Sequence, residues 1–316
     1  MSFTKLQPDL VLDAVEAFGH EVNGRCYPLN SYENRVYQVG LEAGGQLIAK
    51  FYRPDRWSFE QICEEHAFNK FLFEKQVSVG QGIQGKAQSS VLEMSGFYCS
   101  VQERVLGAVP ELEDLDSLFQ LGQLIGEMHQ ASRGWVFEKR NGYNVGVMGR
   151  ENFNVLLDWI PKKHCALYQK VMGQLLVAID DCLPTDFESH FVAIHGDCHL
   201  SNVVMSENGP VLIDFDDVMM GPAIQDIWMF LAGDNNQKQL SELIDGYEES
   251  IEFPHYQLSW IPALRALRVI NYSAWLAKRW SDPAFPKAFP WFNTDDYWAQ
   301  HIKELQNLSL AFNLNP

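Results

Sequence analysis

The chain has 316 residues, 47% hydrophobic and 21% charged, the composition of a globular enzyme long enough to bury a sizeable core in one large domain or two lobes. With 24 Lys and Arg against 41 Asp and Glu the formal net charge is −17, which argues against nucleic acid or an anionic membrane as partner, since both recruit basic clusters. No apolar run is long enough to span a bilayer, the opening MSFTKLQPDL lacks the apolar stretch of a signal peptide, and the six scattered cysteines form no Cys-x-x-Cys pair, so a cytoplasmic protein without a disulfide framework or zinc site is expected.

In chain order, PDLVLDAVEAF (8–18) has helical spacing and stops at Gly19. Three strands of a meander follow, Cys26 to Asn30, Val36 to Leu41 and Leu47 to Tyr52, joined at Ser31 to Asn34 and at Glu42 to Gly45. Lys50 lies near the end of the alternating strand GQLIAKF and shares a face with Ile48 and Tyr52; a charge among apolar neighbours points to a paired, functional lysine. From Ser58 the sequence reads as a helix opened by a capping box with Gln61, its buried side marked by Ile62, Phe68 and Phe71 to Phe73. Glu65 lies at the edge of that stripe within reach of Lys50, with Glu64 as the alternative partner.

Gly80, Gly82 and Gly85 satisfy G-x-G-x-x-G, and Gly80 to Lys86 nearly satisfy a P-loop pattern. Context rejects both, because Ala87 stands where Ser or Thr must follow the lysine and a helix precedes the glycines where a strand is required. Strands over Ser89 to Met94 and Gly96 to Val105 come next, and then the content turns helical, which sets a boundary between 1–105 and 106–316. LDSLFQLGQLIGEMHQAS (115–132) is an amphipathic helix with Leu118, Leu121, Leu124, Ile125 and Met128 inward and His129 as a satisfied core histidine. A further helix, about Leu167 to Cys182, leads to residues 191–216.

That stretch, FVAIHGDCHLSNVVMSENGPVLIDFD, sets four polar groups on the rims of short apolar strands. FVAI is a buried strand, His195-Gly196-Asp197 the turn that leaves it, NVVM a second strand, Ser206 to Gly209 a hairpin turn and Val211 to Ile213 the returning strand. Asn202 falls five residues after Asp197, and Asp214 sits at a strand end. Transfer of a γ-phosphoryl group needs a carboxylate that accepts the proton of the attacking hydroxyl, and an amide and a second carboxylate that hold magnesium. The spacing coincides with the catalytic-loop and metal-Asp pattern of protein kinases, with Asp214-Phe215-Asp216 in the place of Asp-Phe-Gly. Asp197 is then the base, Asn202 and Asp214 the metal ligands, and Lys50 the lysine on the phosphates of ATP. The passage from Glu103 and Val105 into Leu106 to Pro110 is the expected hinge for adenine.

Only eleven residues separate Asp214 from Asp226, too few for a long phosphorylatable activation segment. Helices over about Gln237 to Glu249 and Leu258 to Arg279 complete the chain, with an aromatic cluster (Trp275, Trp280, Phe285, Phe289, Trp291, Phe292) that reads first as core.

HGDCHLSN and IDFDD resemble the HGDxHxxN and IDxxD signatures of the aminoglycoside phosphotransferase and choline kinase group. This resemblance implies an α+β, bilobal, protein-kinase-like fold with a small β-rich N-lobe that binds nucleotide and a larger, mostly helical catalytic and substrate lobe. In that group Asn-x-Val-Tyr, here Asn34 to Tyr37, marks the loop over the phosphates, which implies ATP contacts for the Ser31 hydroxyl or nearby amides even though the loop has no glycine. The group also favours Glu65 over Glu64, implies that Asp226 ties down the catalytic-loop backbone where its residue type alone suits a first-turn acid equally, and walls the acceptor site with its C-terminal helices. Longer strings (LNSYENRVYQV, KFYRPDRW, GPAIQDIWM, DPAFPKAFPWF) resemble one bacterial protein-kinase member, which implies Ser or Thr of proteins as acceptor and a role in stress response; a monomer is expected. The alternative is a small-molecule phosphotransferase, and the third reading, a catalytically dead nucleotide-binding module, is disfavoured because Lys50, Asp197, Asn202 and Asp214 are all present.

Overall fold

Apolar residues three and four apart make the first helix, α1 (Pro8–Ala17), which buries Val11, Ala14 and Val15 and ends where the amides of Gly19 and His20 return to Glu16 and Val15. The computed structural model describes residues 3–85, 88–231 and 236–313. The rejected P-loop ends at Lys86 and Ala87, outside the described residues.

β1 (Val22–Pro28), β2 (Arg35–Leu41) and β3 (Gln46–Phe51) form the expected meander, and β4 (Leu92–Met94) and β5 (Phe97–Glu103) complete an antiparallel sheet of order β1-β2-β3-β5-β4. Leu47, Ala49 and Phe51 face a core shared with α1, Phe97, Cys99 and Val101. Strand alternation turns Ile48 and Lys50 the other way, and Lys50 pairs in register with Val36 and Ser100.

α2 (Phe59–Glu74) starts on the predicted capping box, the Ser58 hydroxyl accepting from the Gln61 amide and the Gln61 side chain from the Ser58 amide. Its buried stripe is Ile62, Glu65, Phe68 and Leu72. Phe73, expected on that side, is 46% exposed, because a residue adjacent to Leu72 points about 100° round the helix.

α3 (Leu115–Ala131) buries all five expected apolar residues. α4 (Asn152–Leu157) is a helix that was not foreseen, and α5 (Lys162–Cys182) begins about one turn earlier than predicted. β6 (Phe191–Ile194), the hairpin β7 (Val203–Ser206) with β8 (Gly209–Leu212), and β9 (Met219–Pro222), which pairs with β6, frame the catalytic stretch. The chain finishes with α6 (Gln225–Trp228), α7 (Gln237–Glu248), α8 (Ile261–Arg279), α9 (Ala284–Ala288) and α10 (Asp295–Leu310). Among the described residues no helix is long and apolar enough to cross a membrane.

Packing divides the chain into two units, 1–141 with 192–253 and 142–191 with 254–316. In the first, α3 lies directly on α7: a Cβ at Gly122 or Gly126 would strike the carbonyl of Leu243 or Tyr247, and one at Gly246 that of Phe119. In the second, α10 packs on α5 and α4 on α8, and the aromatics after α8 form rings against one another, Trp275 with Phe285 at 5.0 Å and Trp280 with Phe292 at 5.0 Å. Phe285 and Phe292 are fully buried, whereas Trp291 is 40% exposed.

Candidate active site

β6 delivers the chain to His195, whose Nε2–H donates to the Ile213 carbonyl at 2.9 Å while its ring lies 4.8 Å from that of Phe215. Gly196 has φ +84° and a Cβ there would collide with the Asp217 carbonyl, so no other residue fits this turn. The amides of His195 and Gly196 donate to the two oxygens of Asp226 at 2.7 and 2.9 Å. Asp226 is fully buried and also faces His129 Nε2 at 3.2 Å, and His129 Nδ1 meets the Tyr247 hydroxyl at 3.0 Å. Of the two readings of Asp226, tie-down of the catalytic turn is therefore the one realised. His129 is a satisfied core histidine, as expected, and it serves that carboxylate.

Asp197 leaves this anchored turn with its side chain about a quarter exposed and 3.4 Å from His199 Nε2. Its carbonyl accepts from Asn202 Nδ2 at 2.9 Å, which leaves the amide oxygen of Asn202 for another partner. Ile213 N–H donates to the Asn202 carbonyl at 3.0 Å, so the residue before Asp214 is bonded to Asn202 itself. Asp214 follows with φ +61°, a left-handed conformation uncommon outside glycine, and its carboxylate is half exposed.

Lys50 Nζ lies 2.8 Å from Asp214 Oδ1, 2.5 Å from Asp216 Oδ1 and 3.7 Å from Glu65 Oε1. Burial works to lower its pKa, but these carboxylates win and hold it well above the ordinary value. Glu65 is pushed up to about 7, by burial first and against the pull of Lys50. Its Oε1 accepts from the Tyr52 hydroxyl at 3.2 Å and its Oε2 from Arg140 at 2.9 Å. Glu64 points elsewhere and accepts the amides of Lys139 and Arg140, so Glu65 is the acid within reach of Lys50. A pocket beside them is lined by Lys50, Glu65, His66, Ser100, Gln102 and Asp214.

The loop Ser31 to Asn34 is pinned at its end, the buried Asn34 donating to Asp216 Oδ2 and accepting from the Arg53 amide. Ser31 turns its hydroxyl toward the Asn34 carbonyl at 3.4 Å. At the expected hinge, Glu103 N–H is taken by the Gln81 carbonyl, Val105 is half-buried, and Ala108 pairs with Met205 of β7. Of the predicted residues, Lys50, Glu65 and Asp214 meet directly, and Asn202 bonds Asp197 and the residue before Asp214; Ser31, Glu103 and Val105 make no contact with that group among those described above.

The donors suited to a metal are the Asp214 carboxylate and the Asn202 amide oxygen. Among the described residues no cluster of three or more His, Cys, Asp or Glu forms a preassembled cage. Hard oxygen donors in so small a number fit magnesium, which relies on substrate phosphates and water for the rest of its shell.

A family model described as "Phosphotransferase enzyme family" matches residues 26–259. The chain belongs to that family. It is 39% identical over 301 residues to "Stress response kinase A" of Salmonella choleraesuis (strain SC-B67) and to "Serine/threonine protein kinase RdoA" of Salmonella typhimurium, in each case over 94% of this chain and 90% of the relative. "Stress response kinase A" of Escherichia coli (strain K12) is 38% identical over the same lengths. Among solved structures, amicoumacin kinase hAmiN in complex with AMP-PNP, Ca2+ and Ami has a TM-score of 0.74 at 20% identity, over 95% of this chain and 93% of that one. A spectinomycin phosphotransferase in complex with ADP and spectinomycin has 0.67 at 13% identity, over 96% and 98%. This phosphotransferase accordingly has the kinase-like α+β fold, β-rich toward the N-terminus and mostly helical beyond, and it is an enzyme.

Three ionic groups of the phosphotransferase had no role assigned from the sequence: the buried Asp216 and Arg140 and the partly buried Arg56. Arg56 binds Asp216 at 3.3 Å and Asp217 at 2.5 Å, and Arg140 joins Glu65 to the Asp216 carbonyl at 2.6 Å. The acidic run Asp214-Phe215-Asp216-Asp217 was a visible signal that cations must converge there, and Lys50 and Arg56 are the ones that do. For Arg140, distant in sequence and in a loop, there was no signal.

Proposed function

We propose that the enzyme transfers the γ-phosphoryl group of ATP, with magnesium, to serine or threonine hydroxyls of proteins in a bacterial stress response, acting as a cytoplasmic monomer. The observation that carries this is the Lys50 ammonium 2.8 Å from Asp214 and 3.7 Å from Glu65, a phosphate-orienting cation beside the metal-binding carboxylate. The names of the relatives at 38 to 39% identity support the protein acceptor and the stress role.

In this reading residues 1–105 form the nucleotide-binding lobe and 106–316 the catalytic and substrate lobe. Ser31 and the amides of its loop touch the phosphates, Lys50 orients them, and Glu103 and Val105 hold adenine. Asn202 and Asp214 would hold magnesium, which would neutralise charge on the phosphates. Asp197 accepts the proton of the attacking hydroxyl as the hydroxyl oxygen bonds to the γ-phosphorus, and the bond from that phosphorus to the bridging oxygen breaks to release ADP. The fixed backbone of His195 and Gly196 keeps that carboxylate in place.

A second reading, a small-molecule phosphotransferase of the aminoglycoside, choline or homoserine type, is favoured by the structural likeness to an amicoumacin kinase and a spectinomycin phosphotransferase. Purified protein with labelled ATP, offered generic protein substrates and a panel of amino alcohols, decides between them. Label in protein at Ser or Thr is the expected result; label in the amino alcohols alone overturns it.

A further inference from the structure

We propose that Asp216 is a positioning residue, which fixes the glycine-free loop Ser31 to Asn34 and the Lys50 ammonium in the geometry that grips the nucleotide phosphates. The inference deepens the nucleotide reading above and rests on it. Asp216 stands where the Asp-Phe-Gly pattern has glycine, and it is 4% exposed. Its φ is not positive, so the backbone here makes no demand for glycine and the side chain is free to be selected for what it touches.

It touches three separate segments. Oδ1 forms an ion pair with Lys50 of β3 at 2.5 Å; Oδ2 accepts from Asn34 Nδ2 and lies 3.3 Å from Arg56. Asn34 spends both ends of its amide, since its Oδ1 accepts from the Arg53 amide at 3.0 Å. Around it Arg53 Nε donates to the Glu33 carbonyl at 2.8 Å and Arg35 to the carbonyls of Tyr32 and Asn34 at 3.0 Å each. A glycine-rich loop follows phosphates by backbone freedom, whereas this loop is held in advance by side-chain bonds from Arg35 and Arg53, and through Asn34 it is tied to one buried carboxylate. That carboxylate belongs to the residue two after Asp214, so loop position and metal-ligand position are mechanically one unit. The Asp216 carbonyl extends the unit to α2, accepting from Arg140, which also binds Glu65.

Calorimetric titration of magnesium-ATP tests this on the full chain, comparing the parent with Asp216→Gly, Asp216→Asn, Asn34→Ala and the double variant Asn34→Ala/Asp216→Gly. Asp216→Gly, although it creates Asp-Phe-Gly, is expected to weaken affinity about 10-fold or more, as for loss of a charge-assisted hydrogen bond. Asp216→Asn keeps an acceptor for Asn34 and recovers part of the loss. Asn34→Ala weakens binding in the same direction, and the double variant binds no worse than Asp216→Gly alone. In every variant the magnesium dependence stays that of the parent, which a ligand of the metal would not allow. Parent-like affinity in Asp216→Gly, or losses that simply add in the double variant, overturns the proposal. Should Asp216→Gly fail to fold, parent-like affinity in Asn34→Ala overturns it equally. Failure of the parent itself to bind magnesium-ATP refutes the nucleotide reading, and the inference falls with it; that outcome is separate because it is seen before any substitution.

Discussion

The side chains around Lys50 and those around Trp298 are both largely buried, and they are held together by opposite means. Lys50, Glu65, Asp216 and Arg140 are each no more than 7% exposed and form a continuous ionic net. Trp298 is fully buried among Phe292, Tyr297 and His301, with ring centroids 5.2 to 5.6 Å apart. Burying ions is costly and repaid only when every charge has partners, whereas aromatic burial is favourable in itself. A region that keeps charges buried is built for orientation, and a region of rings is built for stability.

Substitutions should separate these two characters, beginning with turnover. Asp197→Asn is expected to lower turnover by about 10²- to 10⁴-fold while magnesium-ATP affinity stays near that of the parent. Asp214→Asn should change the magnesium dependence along with the rate, because a hard cation loses a carboxylate. Calorimetry paired with turnover reads both, and abolished nucleotide binding in Asp197→Asn with unchanged binding in Asp214→Asn would reverse the assignment.

In the aromatic region Trp298→Ala should cost about 3 to 5 kcal/mol of unfolding free energy, the usual loss for a large buried ring. Denaturant titration measures it, and a loss below about 1 kcal/mol would mean the site collapses around the cavity. Within the ionic net, Lys50 and Glu65 should behave as one unit. Replacing both is expected to cost phosphoryl transfer less than the sum of the single losses, by about 1 to 3 kcal/mol of coupling, and strict additivity would break the pairing.

The smallest effect is a pH dependence. Burial lowers the His301 pKa from its ordinary value to about 4, so the unfolded chain takes up this proton first as pH falls. The stability it supports is complete above about 6.5 and declines toward 4, a loss of about 1 kcal/mol by about pH 5.5. His301→Gln should flatten that part of the stability-against-pH curve, and an unchanged slope would assign the decline to other groups.

Much of the site was legible because its residues lie in one short stretch whose order mirrors its chemistry. Asp197, Asn202 and Asp214 sit on strand rims that apolar alternation and turn residues predict, and Lys50 betrayed itself as a charge inside an alternating strand. Glu65 over Glu64 needed the phase of α2: one faces Lys50 and the other caps the backbone near Arg140. Phe73 was misplaced for the related reason that a run of apolar residues does not say which of them the helix turns inward.

From the residues alone came the strand meander and the face that Lys50 takes, the capping box of α2, the apolar stripe of α3 and the phosphotransfer spacing, because each depends on residues close together in the chain. Tertiary structure decided how charges far apart in the chain meet. Arg140 reaches Glu65 across 75 positions and Asn34 reaches Asp216 across 182, and Asp226 finds the amides of His195 and Gly196. Such bonds leave no periodic trace, since a buried ion is satisfied by whichever partner the fold brings near, and local spacing carries no record of that choice.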